Sequence, residues 1–529
     1  MLGRKKKVGE WARSGVGGGA EMKVKLPSTR KTLDMKNSQR IGFLLTAFVL
    51  VSLCGTIQAQ KTRPNIFLAI SDDQSWAHVG ADGDPVVKTP AFDRIAREGV
   101  LFTHAFSAAP TCGPSRSALL AGQDIWRLEE AGNIHSTLPA HFATYTQLLM
   151  QAGYHVGYTS KGWSPGRLAP GGRTVNPAGK HYKDFAAFLK SVPAGKPFCF
   201  WQGSSDPHRG YKLGSGAAAG MNVADVIVPA HLPDHQIVRN DILDYYFEVQ
   251  RFDTLVGNGI ALIEKRGELD NTLVVVTSDH GMPFPRAKAS LYDYGSRVPL
   301  AIRWPVMVPG GRKVSDLVNL KDLAPTFLEA ASLPVPQEMT GNSLRPILTS
   351  TKSGRVDPAR SAAYFAMERH DGCRKGGKGY PCRAIRTDDY LYIHNYEATR
   401  WPSGSPDRTV CARNLPFGEI DSSPTKTYMM ENAQKHGVAH LAALSFGMRP
   451  TEELYDVKKD PAQLTNLAGK AHMQSVQKMM RDQLMAYLKE TGDPRILGKP
   501  ALWDYYPYYG AMRNKDWRVD PLPDSHKGN

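Results

Sequence analysis

From Pro64 onward, short apolar runs alternate with stretches whose apolar positions recur at helical spacing. The runs NIFLAIS (65–71), KPFCFWQG (196–203) and NTLVVVTS (271–278) are too continuously apolar for a strand with one wet face, and HVGYT (155–159) gives a further strand leading to Lys161. They read as buried strands of a largely parallel sheet. Between them, FATYTQLLMQAG (142–153) is amphipathic and stops at a glycine, and a longer helical pattern runs from about Val238 to Glu264. Strands alternating with helices predict an α/β fold, a mostly parallel central sheet flanked by helices. Past GNSLRPIL (341–348) and the polar stretch TSTKSGRVDPAR the pattern changes. RAIRTDDYLYIHNY (383–396) alternates as a strand pair turning at Asp388-Asp389, and MQSVQKMMRDQLMAYLKE (473–490) is an amphipathic helix. The expectation is a large domain over 60–354 and a smaller α+β domain over 355–529, without internal repeats.

The polar residues that follow the strands stand out as a set. Asp72 and Asp73 follow the first, Lys161 the second, Asp206, His208 and Arg209 the third, and Asp279 and His280 the fourth. Open α/β sheets gather their ligand sites at the carboxyl ends of strands. An Asp-Asp pair alone is ordinarily a strand-end turn. Acids, a lysine and histidines recurring at the same end predict one shared site.

Composition changes this picture little. The formal charge is +16, but residues 1–60 hold 11 Lys/Arg against 3 Asp/Glu, which leaves +8 for the remainder. That excess suits an anionic substrate or plain solubility. No zinc spacing, basic helix or aromatic–basic interleaving marks a nucleic-acid module. MKNSQRIGFLLTAFVLVSLCGTIQAQ (35–60) has a basic start, a short apolar core and a small residue near its end, so 35–59 reads as a secretory signal peptide. Its apolar stretch is short for a membrane anchor, and Leu53 before Cys54 argues against a lipoprotein. Residues 1–34 read as a disordered extension or a start-site overcall, and the mature protein as secreted or periplasmic. Of the six cysteines, Cys54 leaves with the signal. Cys199 reads as buried packing, and a small disulfide between Cys373 and Cys382 suits an oxidising compartment.

Cys112 requires its own account. In TCGPSRSALLAG (111–122) it stands ahead of Pro114 and an apolar helical run, at a helix N-terminus that favours anions and lowers a thiol's pKa. A reactive thiol, half of a disulfide, a buried filler and a precursor of another group all remain open on this stretch alone.

CGPSRSALLAG resembles the signature of the type I sulfatases, Cys-x-Pro-Ser-Arg followed by a short helix to glycine. The late ELYDVKKDPAQLTNLA (453–468) is similar to that family's C-terminal signature, and DPHR with SDHGMPFPRAKASLY looks closest to its heparan N-sulfatase (N-sulfoglucosamine sulfohydrolase) branch. The resemblance spans nearly all of the chain from Arg63 to Gly492. It implies an alkaline-phosphatase-like large domain and a sulfuric ester hydrolase acting on a sulfated carbohydrate, with an N-sulfated glucosamine unit as a candidate.

By the same resemblance, a maturation factor oxidises Cys112 to formylglycine, whose hydrate attacks sulfur. Asp72, Asp73, Asp279 and His280, completed by residue 112, form a Ca2+ site, with Mg2+ as the alternative. Arg116, Lys161 and Lys288 hold the diol and the sulfate oxygens, and His208 protonates the leaving group. Asp206, Arg209, Glu368, His370 and Arg383 contact the sugar. Two positions depart from the family's habit: His280 where Asn is commoner, and Trp163 where a histidine usually follows the lysine, a gap that His135 or His370 could fill. A phosphate-ester hydrolase of the same superfamily and a non-catalytic glycan-binding relative are the rival readings. No nucleic-acid partner or transmembrane anchor is expected.

Overall fold

The computed structural model describes residues 63–523 and, before them, Lys25 alone; the expected signal segment, the rest of the 1–34 extension and Cys54 lie outside the described residues. Eight strands make the main sheet: β1 (Asn65–Ser71), β2 (Val100–Phe102), β3 (His155–Thr159), β4 (Lys180–His181), β5 (Phe198–Gly203), β6 (Thr272–Ser278), β7 (Leu300–Arg303) and β8 (Arg312–Val314). Their order is β8-β2-β7-β6-β1-β5-β3-β4. Only β7 runs against its neighbours; the other pairings are parallel. All four expected strands are present.

β1 shows why the runs are continuous. Its side chains alternate between two covered faces. Ile66, Leu68 and Ile70 face a cluster with Leu119 and Leu120 of helix α1 (Cys112–Ala121). Phe67 and Ala69 face Phe252, Val256 and Ile260 of helix α2 (Gln236–Lys265), which matches the long helix read from the sequence. With neither face wet, polar residues are excluded until the strand ends.

The second sheet is antiparallel, in the order β9 (Ala362–Met367), β10 (Cys382–Thr387), β11 (Tyr390–Asn395), β12 (Glu452–Asp456). Its hairpin turns at Asp388-Asp389, as the alternation predicted. Helix α3 (Gln474–Glu490) sets Met480 and Leu484 in a cluster with Ile385 and Tyr392. That same cluster contains Ile66 and Leu119, and the described residues from Arg63 onward form one compact unit. Among the described residues no helix is long and apolar enough to cross a membrane.

The cysteine expectation needs a correction. All five described cysteines are free and buried. Cys382 begins β10 opposite Met367, inside an apolar cluster. Cys373 lies instead beside Cys411, whose thiol donates to the Cys373 carbonyl at 3.3 Å. The strand carries Cys382 into the sheet and away from its expected partner.

Candidate active site

Strand register assembles the site. β1 and β6 pair in parallel with Ser71 opposite Ser278, so Asp72-Asp73 and Asp279-His280 leave the sheet at one level. β5 pairs with β3 so that Thr159 lies opposite Gln202, bringing Lys161 and the 204–209 turn to the same end. Two glycines permit the close approach. A Cβ at Gly203 would lie 2.0 Å from the Lys161 carbonyl oxygen, and one at Gly281 would lie 1.8 Å from that of Tyr294.

Cys112 opens helix α1, whose ten residues are all buried, and Thr111 before it is extended. Its Sγ lies 3.5 Å from Asp72 Oδ1, 3.9 Å from Asp73 Oδ1 and 3.2 Å from His280 Nε2. His280 Nε2 is 3.1 Å from Asp73 Oδ1. Asp73 holds a left-handed backbone (φ 72°), unusual for a residue with a side chain. Its N–H donates to Asp279 Oδ1 at 3.1 Å, which fixes the turn.

The cations close around these acids. Arg116, fully buried, donates from Nε to Asp279 Oδ2 at 2.8 Å and from one terminal nitrogen to the Lys161 and Gly162 carbonyls at 3.0 Å each. Lys161 Nζ donates to Asp72 Oδ2 at 2.5 Å. Lys288 Nζ bridges Asp73 Oδ2 and Asp421 Oδ2, each at 2.8 Å. Burial pushes the Asp279 carboxyl up, but the Arg116 charge and its neighbours hold it well below the usual range. Burial likewise raises Asp421, and Lys288 followed by His208 more than reverse it.

These charges settle the protonation of the thiol. Burial first, and then the Asp72 charge, push Cys112 well above the usual thiol range. The helix N-terminus predicts a thiolate; desolvation and the Asp72 and Asp279 carboxylates act in the opposite direction. The unmodified cysteine is a neutral thiol at working pH.

A cavity of about 340 Å³ opens over this cluster, lined by Cys112, Lys161, His208 and Lys288 within and by His135, His370, Arg413, Asp421 and Arg513 further out. His208 Nδ1 donates to the Arg209 carbonyl oxygen at 3.1 Å, which leaves Nε2 turned toward Asp73 Oδ2 at 3.9 Å. His370 meets the Thr111 hydroxyl at 2.6 Å through Nδ1. Burial, then the Lys288 charge, hold His370 well below the usual imidazole range, so it stays neutral. His135 is pushed down to about 3 by burial and then by Arg413.

Four other expectations meet a different geometry. Arg209 does not line the cavity; it forms a two-point ion pair with Asp241 and lies 4.2 Å over the Phe284 ring. Glu368 and Arg383 are fully buried in a separate network. Arg383 NH2 donates to Glu368 at 2.7 Å and its Nε to Asp493 at 2.6 Å, while Arg495 takes the other side of Glu368 at 2.6 Å. That network ties β10 to the residues after α3. Asp206 faces Arg251 at 3.5 Å, and it is its carbonyl that touches the site, accepting the Asp72 N–H at 3.0 Å. Trp163 is buried too, its indole N–H donating to Ser117 Oγ at 2.8 Å behind α1. The departure at 163 therefore strengthens the wall behind the nucleophile position.

Sequence reasoning missed Asp421, Arg413 and Arg513. None follows an apolar run, and no local pattern marked them.

A divalent ion fits this donor set. Ligand atoms of Asp72, Cys112, Asp279 and His280 all lie within 4.8 Å of one another, and Asp73, Cys112 and His208 make a second such group. Buried carboxylates converging on one point suit a hard cation, and an adjoining imidazole does not exclude it.

Strand-end acids, a cysteine at the first position of a buried helix and converging cations on a doubly covered, mostly parallel sheet suit a hydrolase site for a tetrahedral anionic group. The sulfatase family pattern matches residues 64–166 and 178–333, and the C-terminal pattern of N-sulphoglucosamine sulphohydrolase matches 283–402. The chain belongs to the sulfatase family. It is 27% identical over 484 residues to an ulvan-active sulfatase of Formosa agariphila, covering 86% of this chain and 90% of that one. It is 27% identical over 503 residues to human N-sulphoglucosamine sulphohydrolase, covering 82% and 92%. A solved structure in complex with its substrate D-glucosamine-2-N,6-O-disulfate shares the fold at TM-score 0.59 and 22% identity, over 82% of this chain and 98% of that one. Phosphonate monoester hydrolase of Agrobacterium radiobacter does so at TM-score 0.57 and 18% identity, over 81% and 96%.

Proposed function

We propose that this protein hydrolyses sulfate from a sulfated carbohydrate, with an N-sulfated glucosamine unit as its substrate class. One observation carries the reading: the Cys112 side chain, at the head of a buried helix, faces three carboxylates, a histidine and two lysines at the floor of the cavity. In the active protein Cys112 Sγ stands in for the oxygens of a hydrated formylglycine, which would supply the nucleophile that a neutral buried thiol does not. Asp72, Asp73, Asp279 and His280 would hold a divalent ion, Ca2+ by preference, and such an ion offsets charge on the sulfate as attack develops.

The remaining groups have separable tasks. Arg116 orients Asp279 and braces the Lys161 loop through its two carbonyls. Lys161 and Lys288, drawn toward Asp72 and Asp73, are within reach of sulfate oxygens on the same floor. His208, more exposed than the floor and aimed inward by Nε2, would as the imidazolium pass its Nε2 proton to the departing amine or hydroxyl and keep the Nδ1 proton that the Arg209 carbonyl accepts. Export to the periplasm or the cell exterior, inferred from segment 35–59, belongs to the same reading.

The test compares sulfate release from N-sulfoglucosamine, an aryl sulfate and an aryl phosphate, alongside mass spectrometry of the peptide holding residue 112. We expect the aldehyde mass at 112 and turnover of both sulfated compounds. An unmodified cysteine together with faster phosphate release would favour the phosphate-ester reading instead.

A further inference from the structure

The cavity mouth holds more positive charge than the chemistry at its floor requires. Lys161 and Lys288 are engaged by Asp72, Asp73 and Asp421. Further out stand Arg413 and Arg513, both lining the same cavity. Arg413 gives its Nε to Asp371 at 2.9 Å and remains about one-third exposed. Arg513 is exposed, and among the described residues its guanidinium has no ion pair with any acid.

Their backbones are fixed rather than dangling. The Arg513 N–H donates to the Ala412 carbonyl at 2.6 Å, and Ala412 N–H donates to Gly372 at 2.6 Å. Tyr509 N–H donates to the His135 carbonyl at 2.7 Å. Tyr508 donates its hydroxyl to Asp371 Oδ1 at 2.6 Å, the carboxylate that also holds Arg413. The stretch around 508–513 is thereby pinned across the 411–413 turn and the 135 loop, and two guanidinium groups form one side of the entrance. Both follow residue 402, where the matched family patterns end.

A lone arginine at a surface is ordinarily solvated. Two lining one cavity, above a floor proposed to hold the sulfate that is cleaved, suit a second anion, because a planar guanidinium recognises sulfate or carboxylate oxygens in pairs. We infer that Arg413 and Arg513 bind a second anionic substituent of the sugar, so that the preferred substrate carries a sulfate or carboxylate besides the sulfate that is cleaved. This inference rests on the sulfatase reading and narrows it: a singly charged sulfo-sugar is the poorer substrate.

Three substrates separate the sources of the second charge: N-sulfoglucosamine, glucosamine N,6-O-disulfate, and N-sulfoglucosamine linked to a uronic acid. The expected result is a kcat/KM about tenfold or more higher for at least one doubly charged substrate, since a charge-assisted hydrogen bond is worth about 1.5–3 kcal/mol. Whichever substrate gains identifies sulfate or carboxylate as the recognised group. Arg513→Gln should cut that preference to below about threefold, Arg513→Lys should retain part of it, and Arg518→Gln, away from the cavity, should leave it unchanged. Binding of glucosamine 6-sulfate against glucosamine, measured by calorimetry, reads the same subsite without turnover. If no compound is hydrolysed but Arg513→Gln still weakens glucosamine 6-sulfate or uronyl-glucosamine binding, the sulfatase reading fails and the subsite stands. Equal kcat/KM for all three substrates, or an unchanged preference and unchanged binding in Arg513→Gln, overturns the inference.

Discussion

The floor and the rim of the cavity are built by different means. On the floor, Asp72, Asp73, Cys112, Arg116, Asp279 and His280 are each at most 2% exposed. Their positions follow from strand register and from one helix packed against the sheet. On the rim, His208 and Arg413 are about one-third exposed, and Asp421 and Arg513 come from irregular segments after the second sheet has begun. The floor cannot move one group without disturbing a buried ion pair, and breaking such a pair costs about 3–5 kcal/mol. An exposed rim residue such as Arg513 can change at little cost to stability, whereas Asp421 shares the floor's constraint through Lys288. Reaction chemistry thus sits where the fold is stiff, and selectivity where substitution is tolerated.

The largest effects should come from the floor. Cys112→Ala should abolish sulfate release while the melting temperature stays within about 3 °C, because the side chain is small and its thiol makes only weak hydrogen bonds. Full activity in that variant would break the assignment of residue 112 as nucleophile. Removing divalent ions with a chelator should suppress turnover at least a hundredfold and lower the melting temperature. Ca2+ should restore both, since an ion bound only to the folded state stabilises by mass action. A chelator-treated protein that keeps its rate and its melting point would separate Asp72, Asp73, Asp279 and His280 from any metal.

Floor and rim also differ in how far the sequence discloses them. Strands buried on both faces leave a continuous apolar run, so β1, β5 and β6 and the polar residues at their ends were legible together, while β3, with His155 and Tyr158 half-buried, was legible only as a shorter strand before Lys161. Cys112, Arg116, Lys161 and His280 were found by adjacency to such runs or within one short motif. Arg209, Glu368 and Arg383 lie equally close to clear elements, yet each carries a buried ion-pair network whose partners, Asp241, Asp493 and Arg495, are remote in sequence. A charge beside a motif does not reveal which way it turns. Asp421, Arg413 and Arg513 were invisible for a related reason: they meet the cavity from irregular segments and the 411–414 turn, which leave no periodicity.

His208 joins the two regions, and its loss should depend on the substrate. His208→Ala should lower kcat by ~10²–10⁴ on a sugar sulfamate or sulfate ester, whose leaving group needs a proton, and by less than about tenfold on an activated aryl sulfate. A uniform loss would make it a binding residue. Asp421→Asn should act more weakly, by about tenfold in kcat/KM, because Lys288 keeps Asp73 as a partner and loses only one of two carboxylates. If kcat falls and KM does not, the rim acid works by holding Lys288 in place on the floor.

The smallest effect on turnover, and one read instead as acid stability, concerns the rim histidine. His135 is pushed to about 3 by burial, then by the charges of Arg413, Lys161 and Lys288, while an unfolded chain gives imidazole its ordinary value near 6.5. Between these two values the unfolded state binds a proton that the folded state refuses. The stability associated with a neutral His135 is therefore intact above about pH 6.5 and declines as pH falls toward 3, by at most about 1.4 kcal/mol per pH unit. His135→Gln should flatten the fall in unfolding free energy between pH 6.5 and 4 by up to that slope. Arg413→Gln should flatten it less, because burial is the larger cause and remains. Equal flattening in both variants would make the rim's charge, rather than its burial, the reason that His135 stays neutral.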